Sequence, residues 1–215
     1  QKNIAMKPNN LMAAAVGTGL LWFGWFGFNA GGAYQAGNLA AVAFANTFIA
    51  LASGMVTWTI YARLVRGKFD FVDVMTGSVA GLATITPIAG YIEPYKAVLV
   101  GIVAGIICNI ALSFQEKKGW YDALGVWGVH GIGGFTGTIL IGLLADKEIN
   151  GVSASLQQLK IQVGGVIFVA LYAFILTAII LKLLSHVMRI KPSDEQIQQG
   201  LDETLLNEQT YDLNP

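Results

Sequence analysis

Charge is what this sequence has least of: Asp, Glu, Lys and Arg make up 12% of it, against about a quarter in a soluble domain, while 54% is hydrophobic. That shortage excludes an ordinary water-soluble globule. The thirteen basic and thirteen acidic residues cancel, and no basic block stands outside the loops, so nothing points to nucleic acid. The single cysteine, Cys108, has no partner in the chain, which excludes an intrachain disulfide and a thiolate metal cluster. Inside an apolar run it reads as a small buried apolar residue. The apolar runs hold no nucleophile and base pair, no paired carboxylates and no set of metal ligands, so no catalytic residue, metal or cofactor is expected and the chain does not read as an enzyme. Residue 1 is Gln, and no short apolar segment with a small-residue cleavage site precedes the first run. The chain is therefore expected to be processed or incomplete at its start.

Long apolar runs are what the sequence has instead. Six of them, about residues 11–33, 38–62, 74–92, 97–114, 123–145 and 163–181, are of the order needed to cross a roughly 30 Å hydrocarbon layer at about 1.5 Å per residue. The fold class is thus an all-α membrane protein with six transmembrane helices. The third run contains Thr86-Pro87, which predicts a kink. Residues 146–160 read as a hydrophilic loop, and the last helix is expected to run on through His186 to Arg189 before Lys191-Pro192 stops it. The domains are then a membrane part, 1–190, and a tail, 191–215, with no further span.

Six crossings put both ends on one side, and charge says which. That side carries Lys2, Lys7, Arg63, Arg66, Lys68, Lys117, Lys118, Lys182, Arg189 and Lys191; the other has Lys96, Lys147 and Lys160. Ten against three is a positive-inside bias that places both ends in the cytoplasm of a multi-pass cell-membrane protein.

The run 123–145 has no charged residue and carries His130 in its middle third, among Gly125, Gly128, Gly131, Gly133, Gly134 and Gly137. A charged, lipid-facing group there would cost roughly 2.5 to 3.5 kcal/mol, so His130 is expected to face protein or a cavity. Two readings stand: a histidine hydrogen-bonded across a helix interface, or a functional group. A neutral imidazole offers one donor and one acceptor, which suits a small neutral polar molecule or a moving proton. Asp122, eight residues earlier, reads as a helix N-terminal acid favoured by the macrodipole, or as a substrate contact. The aromatic cluster Trp22, Phe23, Trp25, Phe26 and Phe28 reads as lipid-facing bulk, or as aromatic faces that attract a cation at an external mouth.

The run Gly24-Trp25-Phe26-Gly27-Phe28-Asn29-Ala30-Gly31, then Asn46-Thr47, then Ala80 through Tyr91, then Gly128-Val129-His130-Gly131, then Gly200-Leu201-Asp202, resembles the ammonium transporter family (Amt/MEP/Rh), and its Amt branch more than its Rhesus branch. The resemblance implies eleven membrane helices, in two inverted five-helix repeats plus a long last helix, assembled as a homotrimer with one pore per subunit. This chain resembles the C-terminal half: the second repeat and the last helix, helices 6 to 11. His130 then matches one of two pore histidines, Phe28 one of two outer-gate phenylalanines, and Asp122 a supporting acid. Trp25, Phe26 and Gly32 are placed at the outer cation mouth, although the family usually has serine at Gly32. Gly125 stands where many Amt members carry a second acid. In the tail, Glu208 and Tyr211 fit the family pattern, while Leu206-Asn207 replaces its His-Gly.

The function this implies is ammonium transport in nitrogen metabolism: a transporter or channel that recruits ammonium at an aromatic outer site and conducts ammonia past the pore histidine. Its partners would be ammonium and ammonia, membrane lipid, two further copies of the subunit, and a PII-type regulator on the cytoplasmic face formed by residues 63–68, 116–118 and the tail. Gly32 and the altered tail leave open an Amt-like sensor or signalling scaffold that does not transport, and an inactive truncated fragment.

Overall fold

The computed structural model describes residues 8–120 and 122–208; Lys2, Lys7 and Tyr211 lie outside the described residues. These are helical, with no strand among them: α1 (Leu11–Gly31), α2 (Asn38–Arg66), α3 (Phe71–Ile85), α4 (Pro94–Lys118), a π-helical turn (Trp127–Ile132), α5 (Gly133–Leu144), α6 (Lys147–Asn150), α7 (Leu156–Val187), α8 (Asp194–Gln199) and a second π-helical turn (Asp202–Leu206). The chain divides into two compact units, Gln1–Val166 and Ile167–Pro215.

Among the described residues, five helical segments are long and apolar enough to cross a membrane: Leu11–Gly31, Asn38–Arg66, Pro94–Lys118, Trp127–Leu144 and Leu156–Val187. The remaining expected span, 74–92, is different. Its helix covers only Phe71–Ile85, 15 residues, which is about 22 Å. Pro87 has no N–H to continue the ladder and its ring crowds the preceding turn, so the helix ends instead of kinking. The turns that follow stay inside the protein: Ile88 is 0%, Ala89 2% and Ile92 0% exposed. The last long helix begins at Leu156, earlier than the apolar pattern implies, because Ser155 Oγ accepts the N–H of Gln158 at 3.0 Å and caps it.

Lipid tails are as apolar as leucine, so helices here are held by close contact and hydrogen bonds, not by escape from water. The first unit shows where that contact is made. Ala50, Gly54 and Trp58 form a stripe at four-residue spacing along α2, and all three are buried. On one side lie Gly77 and Gly81 of α3, where an added Cβ would strike Trp58 and the Ala50 carbonyl. On the other lie Gly101 and Gly105 of α4: a Cβ on Gly101 would stand 2.6 Å from Ala50 O, and one on Gly105 2.8 Å from Trp58 N and 2.9 Å from Gly54 O. Both pairs are small-xxx-small patterns.

Polar ties close the ends of this packing. At one, Asp70 and Asp73 form a capping box at the start of α3. Asp73 also accepts from Trp58 Nε1 at 3.1 Å and pairs with Arg66 in the last turn of α2. At the other end, Lys96 Nζ donates to Leu144 O at 3.1 Å and stands 3.4 Å from Asp146 Oδ2, while Asp146 N donates to Tyr91 O at 2.7 Å.

In the second unit the residues of α7 are exposed, and α8 opens with a capping box between Ser193 and Gln196. The second π-helical turn ends at Asn207, whose φ of 56° is left-handed. Asn tolerates that region better than most residues.

Replacing Gly105 with Val pushes α4 off α2 and is expected to cost about 1 to 3 kcal/mol, read as a lower thermal-unfolding midpoint in detergent. Gly19→Val, at a site with nothing within 4 Å of an added Cβ, leaves that midpoint unchanged.

Candidate functional site

The segment expected to be a transmembrane helix over 123–145 is built in three parts: a turn through Gly125, the π-helical turn Trp127–Ile132, and α5. Gly125 has a φ of 64°, and a Cβ there would stand 2.9 Å from Leu112 Cδ2. A side chain at this position, acidic or otherwise, does not suit this backbone. Asp122 lies outside the helix and closes its start. Its carboxylate accepts the N–H of Val126 at 3.0 Å and of Trp127 at 2.9 Å. Partial burial pushes its pKa up, but the donated N–H groups of Trp127 and Val126, with the Gln115 amide, outweigh that and hold it below the ordinary aspartate value.

The glycines of this segment seat it against α3 and α4. A Cβ on Gly133 would lie 2.8 Å from Thr84 Oγ1 and 3.2 Å from Cys108 Sγ, and one on Gly128 2.5 Å from Leu112 Cδ2. Cys108 is fully buried, with its sulfur 3.9 Å from Val129 O. His130 is turned the other way and is exposed.

The imidazole lies flat beside the indole of Trp25, with ring centroids 5.9 Å apart and planes 8° from parallel. Trp25 Nε1 donates to Thr86 Oγ1 at 2.8 Å, and Thr86 Oγ1 donates to Leu82 O at 2.8 Å. One turn earlier on α1, Trp22 Nε1 donates to Ser78 Oγ at 3.0 Å. Two indoles at three-residue spacing therefore hold α1 along α3. Phe28, three residues beyond Trp25, continues the same side of α1 and is 70% exposed.

The residues assigned from the sequence to one outer mouth do not share partners. Trp25 belongs with His130. Phe26 stacks on Phe44 of α2, centroids 4.6 Å apart, with Phe48 at 6.3 Å. Gly32 is the C-cap of α1, open on its side-chain face except for the last carbonyls of its own helix. Asn29, beside Phe28, donates from Nδ2 to Thr47 Oγ1 at 2.9 Å.

What results is a strip of imidazole, indole and phenyl groups without a carboxylate, Lys or Arg. It offers the ring nitrogens of His130 and aromatic faces beside them. Sequence reasoning did not find the π-helical turn or the Thr86 hydroxyl; the only signals were the glycine density and a threonine placed immediately before a proline.

Asp122→Ala is expected to cost about 1 kcal/mol of stability through loss of the cap. Because the folded pKa lies below the unfolded one, the contribution is fully present above the ordinary aspartate pKa and is lost as pH falls through the lowered value. Unfolding midpoints of wild type and Asp122→Ala, measured in detergent against pH, converge at the acid end and part above it.

Residues 1–211 match the profile of the Ammonium Transporter Family. The ammonium transporter of Aquifex aeolicus is 38% identical over 218 residues, covering 99% of this chain and 51% of the relative. Ammonium transporter Amt1 of Archaeoglobus fulgidus is 37% identical, covering 96% of this chain and 54% of the relative. Among solved structures, a Mep2 mutant from Candida albicans superposes with a TM-score of 0.83 at 32% identity, covering 97% of this chain and 50% of that one. A sensor Amt protein superposes with a TM-score of 0.85 at 32% identity, covering 90% of this chain and 49% of that one. The chain spans about half the length of the curated relatives it matches. The match along residues 1–211 and the shared helical architecture agree: this all-α, multi-pass membrane chain is not an enzyme and belongs to the ammonium transporter family.

Proposed function

We propose that the chain forms one wall of a pore for ammonium nitrogen, with His130 at mid-depth, Trp25 fixing its ring and Phe28 towards the outer gate. The observation that carries this is the exposed strip of His130, Trp25 and Phe28, with the imidazole held flat on an anchored indole. A polar ring left exposed in a membrane segment needs a partner or a water-accessible lumen. The opposite wall, with the second pore histidine, would come from the other half of a transporter of the length seen in the relatives. The charge bias of the loops supports cytoplasmic ends, and the break after Ile85 supports reading 71–92 as a sixth, interrupted crossing. A trimer, and a PII-type regulator on the cytoplasmic side, belong to the same reading and rest on family membership.

The physics favours ammonia over ammonium as the species crossing the constriction. A bare cation in low dielectric costs many kcal/mol, whereas ammonia needs only hydrogen-bond partners. Ammonium attracted to aromatic faces outside gives a proton to water of the outer mouth near Phe28 and passes His130 as ammonia. Potassium has no proton to leave, which gives selectivity.

A second reading, binding without transport, is favoured by the similarity to a sensor Amt protein and by Gly32, which lacks the hydroxyl expected at the mouth. Flux into proteoliposomes separates the two, because a sensor binds ammonium without passing it.

In a complete assembly, His130→Ala is expected to abolish or greatly reduce methylammonium uptake. Normal uptake with potassium still excluded overturns the role given to His130.

A further inference from the structure

The interrupted crossing at residues 86–92 is where the backbone of α3 stops satisfying itself. Within it, Ile88 N bonds Ile85 O and Tyr91 N bonds Ile88 O, while Tyr91 O receives Asp146 N. The carbonyls of Ala89 and Ile92 are taken by one side chain: Asn46 Nδ2 donates to Ala89 O at 2.8 Å and to Ile92 O at 2.7 Å. Asn46 is fully buried on α2, and its Oδ1 has no partner among the described residues. The unpaired acceptor is a cost that the two bonds to backbone offset. What the amide does supply is two donors from one nitrogen, aimed at both carbonyls.

The next residue along α2 acts on α1. Thr47 Oγ1 donates to Ala43 O and accepts from Asn29 Nδ2 at 2.9 Å, and Asn29 adjoins Phe28. The interrupted segment reaches α1 by its other end, since Thr86 receives the Trp25 indole. Two adjacent side chains of α2 thus fix both what Trp25 is tied to and where the outer end of α1 lies.

We propose that Asn46 is a positioning residue for His130: by clamping Ala89 and Ile92 it fixes the height of Thr86, which holds Trp25 flat against the imidazole. Asn46 touches neither ring. Its effect passes through the segment 86–92 and the Thr86 hydroxyl, and the neighbouring Thr47–Asn29 bond keeps α1 in register with it. The inference rests on the proposed pore reading only in its transport arm; the ring geometry is tested separately.

The test is NMR on nanodisc-embedded protein labelled at histidine ¹³Cε1, with the His130 resonance assigned by its loss in His130→Gln. Trp25→Leu gives the position of that resonance without the indole ring current. Asn46→Leu, which keeps the bulk and removes both donors, is expected to move the resonance at least halfway to the Trp25→Leu position. In a transport-competent assembly it is expected to lower methylammonium uptake roughly tenfold, as a misplaced group in a tuned site does. Thr86→Ser, which keeps the hydroxyl, stays at the wild-type position, and Thr86→Val moves with Asn46→Leu. A folded Asn46→Leu with an unmoved His130 resonance overturns the proposal, whatever its stability. If Asn46→Leu does not yield folded protein, Asn46→Asp, with the same shape and at most one donor, carries the same two outcomes. A shifted resonance with unchanged uptake upholds the positioning role and counts instead against the pore reading.

Discussion

Everything in the first unit depends on backbone meeting backbone across α2. Without a hydrophobic drive between helices in lipid, association comes from how closely chains approach and how well polar groups are paired. The stripe of Ala50, Gly54 and Trp58 receives glycines from α3 on one side and from α4 on the other, at separations that leave no room for a Cβ. Once these three helices are locked, α3 presents Ser78 and Thr86 to the indoles of α1, and α3 and α4 together offer the bed into which the glycines around His130 fit. The aromatic strip therefore depends on glycine packing on the far side of the helices that carry it.

The same locking explains how a broken crossing is tolerated. A proline ends α3 at Ile85, and the freed backbone would be costly in hydrocarbon. It is instead folded inward against α2, where Asn46 supplies donors, and is tied at its far end to Asp146. The interruption places a hydroxyl, Thr86, at the height of the Trp25 indole. His130, on its own irregular turn, lies opposite. Two departures from regular helix thus meet at one place, as is common where function requires geometry that an ideal helix does not provide.

Much of this could be read in the sequence. The apolar runs located α1, α2 and α4 to within a few residues, because twenty or so uncharged residues allow one structure in lipid. His130 stood out as an ionisable group in such a run, and the collinear motifs pointed to the family that the residue 1–211 match then established. Asp122 was visible as an acid ahead of a helix, though its cap of Val126 and Trp127 was not. The grouping of Trp25, Phe26 and Gly32 was read along one helix, yet adjacent helical residues point about 100° apart, so Trp25 and Phe26 meet different neighbours.

By itself the sequence determined the class of the molecule and, among the described residues, the number of long apolar helices to within one, since both follow from composition and spacing that water and lipid sort directly. Only the tertiary structure decided that 74–92 is a short helix and a buried turn, that His130 sits on a π-helical turn, and that Trp25 lies against it under the hold of Thr86. Those outcomes turn on which carbonyl receives which side chain from another helix. Such pairings are settled between segments distant in the chain, and no local pattern contains them.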